Sequence, residues 1–140
     1  RTAHHQFSVR AHASRRSAMS MSTSASPTVR RRASLNSPMI AYLAEAHGQV
    51  TVSCLISGHR LYSRPGVISA HIYGLAADIS MLAGTSILGH QQRESVTEKA
   101  VRNILLLPAE LQPRQVISLI GMGGPSFPLS NHDDHIHVGY

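Results

Sequence analysis

With 140 residues, 42% of them hydrophobic, the chain has room for one domain with a modest core. An aromatic content of 4% without Trp argues against a base-stacking platform, and a single cysteine, Cys54, excludes an intrachain disulfide and a cysteine-rich zinc site. The formal charge of +6 is carried by one end: residues 1–36 hold seven Arg and no acid, whereas residues 37–140 hold six Lys or Arg against seven Asp or Glu.

Taken in order, residues 1–36 are rich in Ser, Ala and Arg without a sustained apolar period, so they are expected to form a disordered arm. Arg15-Arg16 and Arg30-Arg31-Arg32 offer contacts to nucleic acid, acidic cell-wall polymer or anionic lipid, although a solvated arm is the plainer reading. No apolar stretch follows them as a signal peptide would require, and no run is long enough to span a membrane.

Ser37-Pro38 is a helix start and Gly48 a stop, with Ile40, Leu43, Ala44 and His47 at helical spacing between them. Val50–Ser57 is β-rich and places Cys54 as a buried strand residue, and Pro65-Gly66 marks a turn. Ser95-Val96-Thr97-Glu98 fits a capping box opening a helix that ends at Leu107, before Pro108. Gln115–Ile120 is a strand. The glycines of Gly121-Met122-Gly123-Gly124 do not make a nucleotide loop, because Pro125 and Pro128 forbid the helix that should follow.

Two stretches carry the chemistry: Ser69–Asp78, SAHIYGLAAD, and the C-terminal HDDHIHVGY. They supply His71, Asp78, His135 and His137, and two histidines with one carboxylate suit Zn²⁺ with a water in the fourth position. Gly74 permits a left-handed backbone between His71 and Asp78. In a regular strand His135 and His137 share a face with Asp133, while Asp134 points away.

The pattern Ser69-x-His71-x-x-Gly74-x-Ala76-x-Asp78 followed by His135-x-His137 resembles the zinc peptidases that include D-alanyl-D-alanine carboxypeptidases, L-alanyl-D-glutamate endopeptidases and hedgehog-like domains. The resemblance covers roughly residues 57–140. It implies one zinc ion per chain, held by His71, Asp78 and His137. It implies Asp134 as general base, which requires the backbone before His135 to leave strand geometry; Asp133 is the alternative. His135 would bind the developing oxyanion or orient the water, and Ser69 would hold substrate or support His71. Arg60, in Ser57-Gly58-His59-Arg60, would grip a substrate carboxylate, a task that suits a guanidinium. His59 stands where relatives carry an aromatic residue.

The expected architecture is α+β: a small single domain over 37–140, with a mainly antiparallel sheet, two main helices and the zinc site on one sheet face. The expected function is zinc-dependent hydrolysis of a peptide bond, in a peptide or peptidoglycan stem substrate, by a protein of extracytoplasmic location. A zinc-binding recognition domain without activity is the first alternative. A nucleic-acid or polyanion binder acting through residues 1–36 is the second. No Gly-x-Ser-x-Gly or His-Glu-x-x-His motif is present.

Overall fold

The strand that organises the domain is β5, Ala76–Leu82, whose Ala77 and Ile79 alternate with Asp78 so that one face is apolar and the other carries an acid. The computed structural model describes residues 6–10, 35–56 and 61–140. Around β5 lie β1 (Phe7–Arg10), β2 (Gln49–Cys54), β6 (Thr85–Ser86), β7 (Gln115–Ser118), β8 (Ser126–Pro128) and β9 (Ile136–Gly139). They form a seven-stranded sheet in the order β1-β2-β5-β9-β7-β8, with β6 added to the end of β5. All pairs are antiparallel except β7 with β8. A separate hairpin, β3 (Tyr62–Arg64) with β4 (Val67–Ile68), turns at Pro65-Gly66 as the sequence indicates. Two helices, α1 (Asn36–His47) and α2 (Val96–Leu105), complete the expected α+β architecture.

The core is built from Met39, Leu43 and Ala44 of α1, Ala100, Val101 and Ile104 of α2, and Ala77, Ile79, Ile136 and Val138 of the two central strands. Facing pairs Ala77–Val138 and Ile79–Ile136 carry that apolar surface from β5 to β9. The intervening pair, Asp78 with His137, projects from the opposite face. The helices therefore close one side of the sheet, and the other side remains for the polar cluster described below.

Local signals act where chemistry permits little choice. Gly48 ends α1 at φ +80°, and the Ser95 hydroxyl accepts the Glu98 N–H at 3.2 Å to cap α2. The Glu98 carboxylate reaches back to the N–H of Glu94, one residue before the cap. Four boundaries differ from expectation, the first being β2, which runs Gln49–Cys54 rather than Val50–Ser57. Helix α1 begins at Asn36 without a side-chain cap, so Pro38 lies inside the first turn, where its missing N–H has no intrahelical acceptor to lose. Helix α2 ends at Leu105 rather than Leu107, and β7 ends at Ser118 rather than Ile120.

One larger correction concerns the arm. Phe7–Arg10 pairs with β2 as an edge strand, Val9 facing Val50 and packing against the core, so this part of residues 1–36 belongs to the domain. Alternation at Phe7 and Val9 is the only sequence cue, and four residues are too few to separate from an irregular tail. Residues 1–5 and 11–34, with both arginine clusters, lie outside the described residues.

The β2–β5 pairing slips twice. Thr51 faces Met81, Val52 faces Ile79, and Cys54 faces Asp78, so Ser80 is an extra residue on β5 and Ser53 an extra residue on β2. Each serine lies beside the slip with its hydroxyl directed across the pair, Ser80 to the Thr51 carbonyl (3.4 Å) and Ser53 to the Asp78 carbonyl (3.3 Å). No helix among the described residues is long and apolar enough to cross a membrane.

Candidate metal centre

His71 reaches the sheet from a 3-10 turn, Ala70–Tyr73, closed by Gly74 at φ +67°. The Gly74 N–H donates to the His71 carbonyl (2.9 Å) and the Leu75 N–H to that of Ala70 (3.0 Å), geometry that favours a residue without Cβ at position 74. The turn is tied to the helical layer by Asn36, whose Nδ2 donates to the Gly74 carbonyl at 2.8 Å. His71 is fully buried and Asp78 is 6% exposed.

His71 Nδ1 lies 2.9 Å from the Leu55 carbonyl. A carbonyl can only accept, so Nδ1 carries hydrogen and Nε2 is the nitrogen offered to the site. That Nε2 is 3.2 Å from Asp78 Oδ1 and 3.2 Å from His137 Nδ1, and His137 Nδ1 is 2.9 Å from the same carboxylate oxygen. Three donor atoms from three separate segments thus form a nearly equilateral triangle. A tetrahedral ion with bonds of about 2.0–2.1 Å needs donors about 3.3–3.4 Å apart. The residues present fit such an ion.

A fourth donor was not anticipated. The ligand atoms of Cys54, His71 and Asp78 lie within 4.8 Å of one another, a group that could hold a metal ion. Alternation along β2 places Cys54 on the core side with Val50 and Val52. The extra residue Ser53 reverses that phase and brings Cys54 opposite Asp78.

The C-terminal segment bends at Asp133 and Asp134 before β9 begins at Ile136, so the strand is not regular at the two acids. Asp134 is directed at its neighbour: its Oδ1 accepts from His135 Nδ1 at 2.5 Å, while the side chain is 65% exposed. The other nitrogen of that ring, Nε2, stands 3.8 Å from Asp78 Oδ1. His132 also escaped the sequence reading. Its ring centroid lies 4.7 Å from that of His135 and 5.9 Å from that of His137, and Gln91 Nε2 holds its carbonyl at 2.7 Å. The string of histidines from 132 to 137 was its only signal.

Electrostatics follow from this crowding. Burial opposes ionisation of Asp78, but hydrogen bonds from His137 and His71 outweigh it and hold the carboxyl well below the usual range. Burial likewise opposes charging of His71, yet bonding to Asp78 and Cys54 raises it to about 10. His132 is pushed down to about 4, by burial and then by the neighbouring His135 and His137.

Comparison with protein-family models, with curated proteins and with solved structures finds no match to this chain.

Of the residues singled out from sequence, His71, Asp78, His135 and His137 meet at one place. Asp134 touches the group through His135. Ser69 is 2% exposed, and its backbone anchors the turn: its N–H donates to Leu61 (2.9 Å) and its carbonyl accepts from Ile72 (3.1 Å). That burial favours support of His71 over contact with substrate. Arg60 and His59 lie outside the described residues.

Proposed function

We propose that the chain is a zinc-dependent hydrolase of peptide bonds, acting on peptidoglycan stem peptides or similar short peptides outside the cytoplasm. The observation that carries this reading is the triangle of His71 Nε2, Asp78 Oδ1 and His137 Nδ1, with sides of 2.9–3.2 Å, beside a hydrogen-bonded His135–Asp134 pair. Two imidazoles and a carboxylate are a donor set that suits zinc. Zinc held there would bring a water toward ionisation at neutral pH and polarise a carbonyl.

The protein's own groups then divide the remaining work. His135 Nε2 faces the donors and receives the proton, and Asp134 holds the ring through Nδ1 and stabilises its cationic form. Asp134 thus acts through His135 and does not itself abstract the proton. The proton passes from His135 to the leaving amine. Ser69 keeps the 3-10 turn, and so His71, in position. Arg60 remains the candidate clamp for a substrate carboxylate.

The test is incubation of zinc-loaded protein with purified stem peptides and cross-linked muropeptides, the products read by mass spectrometry. A single cleaved bond, abolished by chelation and restored by zinc, is expected; no cleavage of any stem substrate would refute the hydrolase. One observation favours a second reading, a zinc-binding recognition domain: Cys54 stands close enough to join the donors. Sites closed by four protein donors are characteristic of structural zinc.

A further inference from the structure

Three adjacent strands place three metal-binding side chains in one cross-sheet row. Cys54 of β2 faces Asp78 of β5, and Asp78 faces His137 of β9. Facing residues in antiparallel pairs keep their Cβ atoms about 4.5–5.5 Å apart, so Asp78 is flanked on both sides within side-chain reach. His71 stands over the row from its 3-10 turn, bonded to Asp78 at 3.2 Å and to His137 at 3.2 Å. The Cys54 donor atom lies within 4.8 Å of those of His71 and Asp78. The donor–donor spacing around one ion, about 3.6 Å once a Zn–S bond of about 2.3 Å is allowed for, falls inside that limit.

From this row we infer that Cys54 is a fourth ligand of the same ion, so that the metal rests in a closed Cys54–His71–Asp78–His137 set. The inference rests on the metal reading above and adds its regulation. With four protein donors in place no coordination position is left for water, and the thiolate must leave before a hydrolytic water can enter. The thiolate would then compete with water for the ion, and turnover would be limited by the fraction of molecules in which it has left.

Co²⁺ is the probe, because a coordinated thiolate gives a strong near-ultraviolet charge-transfer band that imidazole and carboxylate do not. Cys54 is the chain's single cysteine, so any such band belongs to it. One equivalent of Co²⁺ added to the full-length protein should produce the band. Cys54→Ser should abolish it while still binding one equivalent through the three remaining donors. In the wild type, zinc should also slow alkylation of the thiol at least about tenfold, since reactivity follows the available thiolate. This measurement needs no variant and stands even if Cys54→Ser folds poorly. One equivalent of bound Co²⁺ without the band, or alkylation indifferent to zinc, overturns the inference and leaves the three-donor hydrolase intact. A protein that takes up neither metal overturns both.

Discussion

The charge state of His71 in the metal-free protein can be measured directly, and Asp78→Asn is the perturbation that tests its cause. His71 is fully buried, which alone would keep it neutral; its proton is retained because Asp78 Oδ1 lies 3.2 Å from Nε2 while Nδ1 bonds the Leu55 carbonyl. With Asp78 and Cys54 as partners the imidazole is raised from 6.5 to about 10, against the lowering by burial. The rise, 10 − 6.5, is about 3.5 pH units, or roughly 5 kcal/mol at 1.36 kcal/mol per unit, and it is the net of raising by Asp78 and Cys54 over lowering by burial. Asparagine keeps the shape of Asp78 but removes its charge, so the His71 midpoint should fall, leaving only Cys54 to oppose burial. Nitrogen-15 NMR of the imidazoles across pH 5–11, with His71→Ala to assign the resonance, gives the midpoint. A wild-type His71 midpoint between about 6 and 7, or a raised midpoint that survives Asp78→Asn, would refute the reasoning. The same proton must leave Nε2 before a metal can bind. Apparent zinc affinity should therefore rise about tenfold per pH unit between about 7 and 9, and more shallowly in Asp78→Asn.

Three further outcomes are expected. The folded-state value of His71 is raised above its unfolded 6.5, so the stabilisation it gives is fully present below that pH and is lost as pH rises through about 10; thermal melts of metal-free protein should show this decline, and zinc-loaded protein should not. Asp134→Asn should keep stoichiometric zinc and a normal melt while turnover on a stem peptide falls about 10²–10⁴-fold, with Asp133→Asn doing much less, read by elemental analysis and initial rates; the reverse ranking would assign the role to Asp133. Deleting residues 1–10 removes β1 and uncovers the outer edge of β2, so the melting temperature should drop by about 4–8 °C for each ~1 kcal/mol lost, and an unchanged melt would mean the strand adds nothing.

How much of this was legible in the sequence depended on whether the deciding interaction was local. Gly48, Ser95 and Pro65-Gly66 act within a few residues, and each does in the fold what its chemistry prescribes. The alternation Ala77-Asp78-Ile79 and Ile136-His137-Val138 likewise forces Asp78 and His137 away from the core, which makes their meeting readable once the strands are paired. The start of α1 was misread because Ser37-Pro38 imitates a capped start while no side chain caps the helix. Phe7–Arg10 was missed because an edge strand draws its hydrogen bonds from a partner about forty residues away. The orientation of Asp134 turns on a bend that neither strand parity nor the Asp-His pair specifies. Cys54 is a strand residue as expected, but its place opposite Asp78 was not legible, because the ladder is broken just before it.

That break changes which kinds of sequence variation the centre tolerates. Between Val52 and Cys54 the face on which the thiol emerges depends on whether the ladder is broken there, more than on which residue fills the break. Exchanging Ser53 for another small polar residue leaves the count intact and costs no more than one weak hydrogen bond. Removing Ser53 closes the bulge: Val52 and Cys54 become neighbours on a regular ladder, and alternation alone then keeps Cys54 on the Asp78 side of the sheet. The sheet can thus accept either a point change at position 53 or the loss of that residue, and only straightening β2 with Ser53 still present would turn the sulfur toward the helices.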